Sequence, residues 1–193
     1  MQTLKALSIV LLASLLLTCC KTPVWHATDI SGALPDLEFS LVGTDGQTVK
    51  SSHFLGKPVL VFFGFTNCPH ICPMTLTRLS VVVDKMGAQA EDIQVLLVTV
   101  DPDRDTPEVM REFTGSFGPW LTGLTGTEEA LKALRESYGV YAAMESSPDK
   151  GEYNVMHTTA IFVFDAQGRA RLLMSDISNR DFVVADLKRL LDE

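Results

Sequence analysis

The sequence predicts an α/β sandwich built around a mixed central sheet. Two observations carry that reading. Apolar runs of strand length, "KPVLVFFGF" and "IQVLLVTVD", each lead into a segment of helical character, and near the C-terminus two further strand runs are separated by one tight turn. The first pattern is that of strands alternating with helices, the second that of an antiparallel hairpin. With 193 residues, 46% of them hydrophobic, the chain suits one domain with a core that needs no disulfide staples.

Taken in order, residues 1–20 read as a secretory head. "MQTLK" is followed by the apolar run Ala6 to Leu17, too short for a comfortable bilayer span, and then by "LTCCK". The pair Cys19 and Cys20 resembles a bacterial lipoprotein box in which one cysteine, Cys20 or Cys19, is lipidated; an uncleaved membrane anchor is the alternative. Either places the folded part outside the cytoplasm, on the periplasmic side of a bacterial inner membrane. Residues 21–36 are polar and aperiodic, as a tether is, with Trp25 and His26 incidental to it. The domain proper runs over 37–193.

Within that domain "LEFSLVGTDGQTVK" alternates around Asp45-Gly46 and predicts an N-terminal β-hairpin. Residues 57–65 form a buried strand that feeds directly into "TNCPHICPMTL". Leu76, Leu79, Val83 and Met86 then recur at helical spacing up to a stop at Gly87. A second strand covers 93–101, and the next helix starts with Thr106 as cap and Pro107 at its first position. "TEEALKALRESYG" is a third helix, with acids in its first turn and Gly139 at its end. "TTAIFVFDAQGRARLLM" is strand, turn and strand, and "RDFVVADLKRLLDE" is an amphipathic terminal helix. This order fits a thioredoxin-like fold, with Cys68 and Cys72 where a strand hands over to a helix.

A net charge of −8 without any basic cluster argues against nucleic-acid binding, because neutralising phosphates takes clustered Lys and Arg. Once the head is set aside, only Cys68 and Cys72 of the four cysteines remain. A structural disulfide between them would close almost no loop and gain little. Residues i and i+4 share a helix face, and a helix N-terminus favours thiolate, so the spacing predicts two exposed, polarised sulfurs. Two thiolates suit zinc badly, since its structural sites want four ligands, whereas thiolates with one imidazole suit copper. Of the four histidines, His26 and His53 read as solvated and His70 as pointing to solvent. His157, in "YNVMHTTAIFVF", precedes a strand at a point that the fold sets against the Cys turn.

These residues resemble the Sco/SenC family, thioredoxin-fold copper-binding assembly factors of cytochrome c oxidase. The likeness rests on "GFTNCPHICPMTL", "VTVDPDRDTPEVM" and "YNVMHTTAIFVFDAQG", and on the membrane-tethered N-terminus. It implies Cys68, Cys72 and His157 as ligands of one copper ion, Cu(I) or Cu(II). It implies Asp101 as a residue that organises the site without ligating. Two positions depart from the family pattern, His70 between the cysteines and Met156 before the histidine, where acidic residues are frequent. Met156 reads as an apolar filler.

The implied function is a metallochaperone rather than a classical enzyme, passing copper to the dinuclear copper site of oxidase subunit II or a related copper protein, in company with other copper chaperones. The alternative is a thiol–disulfide oxidoreductase acting through Cys68 and Cys72 on that partner's cysteines. Copper sensing or storage stays open. Peroxidase chemistry fits a Cys-Pro-x-x-Cys-Pro pair poorly.

Overall fold

A computed structural model describes residues 24–146 and 153–193. The expected head, with Cys19 and Cys20, lies outside these residues. Among them no helix is long and apolar enough to cross a membrane.

The core strand β4 (Val59–Gly64) is buried at every residue. It pairs in parallel with β5 (Gln94–Thr99) and antiparallel with β9 (Ile161–Phe164), so the mixed sheet is set at its centre. On one side β9 is followed by β10 (Ala170–Met174) and by the two-residue edge strand β1 (Thr28–Asp29). On the other, β5 pairs in parallel with β6 (Leu121–Thr125), and the hairpin β2 (Ser40–Gly43) and β3 (Thr48–Lys50) closes that edge. These eight strands form one thioredoxin-like sheet. A strand buried on both faces reads as a continuous apolar run, which is why β4 and β5 were recognisable.

Helix α1 (Ile71–Met86) takes Gly87 as its C-cap and buries Cys72, Leu76, Leu79 and Val82. Helix α2 (Pro107–Gly115) starts as predicted, with the Thr106 side chain accepting from the Val109 amide. The same capping bond joins Thr127 to Ala130 in α3 (Glu128–Ser137) and Asn179 to Phe182 in α4 (Arg180–Leu191).

Two features of the strands depart from the expectation. Strand β6 was not foreseen, because "LTGLT" has neither length nor alternation. Its Gly123 admits α2 so closely that a Cβ there would stand 3.1 Å from both Met110 Cε and Thr114 Cγ2. The second is a separate two-stranded sheet, β7 (Ala142–Ser146) and β8 (Tyr153–His157), in which Ala142 faces His157.

The described part of the segment expected as a tether is packed on the body. Beyond the β1–β10 pairing, the His26 and Ala27 amides donate to the buried Asp186 carboxylate at 3.0 and 2.8 Å. Trp25 is half-buried with the Arg189 guanidinium 4.7 Å from its ring, and His26 stacks on Phe182 at 4.0 Å. Trp25 and His26 are therefore contacts of the fold, not incidental residues.

Candidate metal centre

Gly64, the last residue of β4, lies opposite Thr99 of β5, and Phe62 lies opposite Ile161 at the start of β9. The cysteine turn leaves β4 at this point, and the chain from β8 enters β9 beside it. Helix α1 begins at Ile71, so Cys68 precedes the helix and Cys72 is its second residue, with Pro73 still inside the first turn. There the missing proline N–H costs no helical bond.

The two sulfurs differ. Cys72 is fully buried and Cys68 is half-buried, and no disulfide joins them. The Cys72 amide donates to Cys68 Sγ at 3.4 Å. Burial pushes the Cys72 thiol far above its usual range, and Asp105 adds to the shift. The expected pair of exposed, polarised sulfurs is thus corrected: desolvation of a fully buried thiol outweighs the helix N-terminus. The space for this sulfur comes from Gly64, where a Cβ would lie 3.0 Å from Cys72 Sγ.

His157 ends β8 and faces the sulfurs, its Nε2 standing 3.5 Å from Cys72 Sγ. Its Nδ1 lies 2.9 Å from the Thr158 carbonyl, which places the ring proton on Nδ1 and leaves the Nε2 lone pair toward the thiols. A carbonyl on the far ring nitrogen is how metal-binding histidines are commonly held. Phe62 and Phe65 meet the ring edge-on at 6.2 and 5.7 Å. Burial also lowers its pKa, keeping the imidazole neutral. The donor atoms of Cys68, Cys72 and His157 all lie within 4.8 Å of one another. Two soft sulfurs and one imidazole suit copper.

Asp101 is wholly buried, and its hydrogen-bond partners are not among the three. Its carboxylate pairs with Arg104 and accepts from the Tyr153 hydroxyl at 2.6 Å. Arg104 in turn donates to the Tyr153 carbonyl at 3.0 Å and stacks 3.8 Å from that ring's centroid. Asp101 thus acts on the start of β8, four residues before His157. Asp105, which the sequence reading does not single out, is fully buried and accepts from the Thr66 amide and hydroxyl and from the Thr99 hydroxyl. It fixes the loop that leads into Cys68. Burial raises its pKa. His26 and His53 are not part of the cluster, and His70 is exposed, as expected. Met156 is 47% exposed and so is not a buried filler.

The SCO1/SenC family model matches residues 29–192. The chain belongs to the SCO1/SenC family. Among relatives of this Sco/SenC chain, the SCO2-like protein of Rickettsia felis is 34% identical over 133 residues, 68% of this chain and 65% of its own length. The SCO2 homolog of Bos taurus is 38% identical over 133 residues, 68% of this chain and 50% of its own. The Sco/SenC chain spans just under two thirds of the length of the Rickettsia felis and Rickettsia prowazekii relatives it matches, 65% and 64%. Among solved structures, copper-bound ScoI of Bradyrhizobium japonicum superposes with a TM-score of 0.74 at 36% identity, over 80% of this chain and 98% of that one. Apo Sco1 of Thermus thermophilus gives 0.76 at 38% identity, over 88% and 99%. The thioredoxin-like α/β fold is that of Sco proteins, and homologous Sco structures carry copper.

Proposed function

We propose that this Sco/SenC chain is a copper metallochaperone that holds one ion through Cys68, Cys72 and His157 and passes it to the dinuclear copper site of cytochrome c oxidase subunit II or a related copper protein. The observation that carries the reading is the convergence of three donors of the right softness, with Nε2 already turned inward. Loading removes a proton from each thiol, while His157 supplies a lone pair without losing one. Asp101 and Asp105 hold β8 and the cysteine loop in register for that exchange. A head tethered on the periplasmic side, through Cys20 or Cys19 or an uncleaved anchor, keeps the protein beside a membrane-bound partner.

Anaerobic titration of the reduced chain with Cu(I), and separately with Cu(II), tests the reading. One ion per chain is expected, with a thiolate-to-Cu(II) absorption band that His157→Ala abolishes. Binding indifferent to His157 would sink it.

The unpaired cysteines support a second reading, thiol–disulfide exchange on the partner's cysteines, in which Cys68 attacks and Cys72 resolves. That chemistry needs no imidazole. Full disulfide-exchange activity in His157→Ala together with lost copper binding would show both capacities in one site.

A further inference from the structure

A cavity of about 310 Å³ opens beside the metal centre. Its walls include Cys68, His70, Met156 and His157, but not Cys72. Among the described residues, two of these have no evident duty in the fold. His70 stands at the N-cap of α1, yet its side chain makes no capping bond and the residue is exposed. Met156 leaves 47% of its surface in water, whereas its neighbour Val155 is 5% exposed. So exposed an apolar side chain gains only part of its burial energy from that position. Both nevertheless carry donors for a soft cation, an imidazole and a thioether, and both line a cavity that also reaches Cys68.

We propose that His70 and Met156 form an entry station for copper(I), capturing the ion at the cavity mouth before Cys68, Cys72 and His157 take it. The inference rests on the copper reading given above. Imidazole and thioether are neutral and bind Cu(I) without losing a proton, so capture is simple and weak. The ion then moves inward by ligand exchange. Bonds to the His70 imidazole and Met156 Sδ break as bonds to Cys68 Sγ, and then to Cys72 Sγ and His157 Nε2, form. The two thiol protons pass to solvent, and copper stays in the +1 state throughout, so no electron donor or acceptor takes part. Cys68 is the natural first thiol because it alone of the pair lines the cavity.

The test uses the full-length chain in detergent with Cu(I) supplied from a weak chelator. In Cys68→Ser/Cys72→Ser, one weakly held Cu(I) is expected, with imidazole nitrogen and thioether sulfur neighbours in X-ray absorption. It should be lost when either His70→Ala or Met156→Leu is added. In the chain with intact cysteines, His70→Ala/Met156→Leu should slow loading, followed by stopped-flow thiolate–Cu(I) absorption, by about tenfold. Both side chains are exposed, and circular dichroism checks that the variants fold. A cysteine-free chain that holds no Cu(I), or a double variant that loads at the wild-type rate, overturns the proposal. Failure of the underlying copper reading looks different: the wild-type chain then shows no thiolate–Cu(I) absorption, while the cysteine-free arm still reports on the station.

Discussion

Cys68 and Cys72 share a motif but not an environment, and their reactivity should diverge accordingly. Thiolate and access both govern alkylation. Cys72 has neither in the metal-free state, being fully buried with its thiol pKa raised, while Cys68 lines an open cavity. Iodoacetamide followed by mass spectrometry should modify Cys68 at least about tenfold faster. Equal rates would contradict the asymmetry. Gly64→Ala forces a methyl against Cys72 Sγ, Leu97 and Phe62 at 3.0–3.1 Å. Urea unfolding should show a loss of about 1–3 kcal/mol, as overpacked cores do. His157 gives a pH signature. Because burial lowers its pKa in the fold, the unfolded chain takes up the proton first as the pH falls. This contribution to stability is complete above about pH 6.5, declines as the pH falls toward the folded pKa, and is constant below it. Melting curves of the metal-free protein between about pH 8 and pH 5 should fall more steeply for wild type than for His157→Gln. Parallel curves would show that this imidazole is not the titrating group.

At the scale of elements, the hairpin β7–β8 decides where the imidazole goes. Tyr153 begins β8 and is latched by its hydroxyl to Asp101 and by its ring and carbonyl to Arg104. Burial and the bond to Asp101 push the phenol up to about 12, so it remains a donor. Tyr153→Phe leaves Asp101 Oδ1 without that partner, at a cost of about 1–3 kcal/mol. Hydrogen exchange over 153–157 should quicken and copper affinity fall; unchanged exchange would show that the latch does not hold the strand. The cysteine turn was legible because a long apolar strand running into a helical repeat fixes it locally. The latch was not. Arg104 and Asp105 sit in "DPDRDTP", which reads fully as turn and cap chemistry, and their partners Tyr153 and Thr66 lie 49 and 39 residues away. Pairings that distant leave no periodic trace. Strand β6 escaped for a local reason: its Gly123 is chosen for close packing by α2 rather than for strand propensity.

At the scale of the whole molecule, the described chain ahead of the β2–β3 hairpin, from Val24 on, is part of the body. Asp186 gathers two main-chain amides from this segment, and Arg189 donates to the Val24 carbonyl at 3.0 Å. The composition of 21–36 reads as a tether because polar, aperiodic sequence carries no sign of the helix that receives Val24, His26 and Ala27. Asp186→Ala should lower stability by about 1–3 kcal/mol and expose the amides of residues 26–30 to exchange, with copper stoichiometry unaltered. If those amides stay protected, the carboxylate is not what holds the segment.

The hairpin that bears His157 is a sheet of its own, while the two thiols belong to the junction of β4 and α1. An ion shared among them would cross-link two units that the backbone ladders leave unjoined. Occupancy and hairpin position are then thermodynamically linked. Metal bound only to the closed arrangement raises the melting temperature in proportion to the logarithm of its free concentration. By the same reciprocity, a partner that gains free energy by drawing the hairpin aside must weaken the hold on the ion by an equal factor. Affinity in such a centre is therefore not a fixed number but one that a docking protein sets.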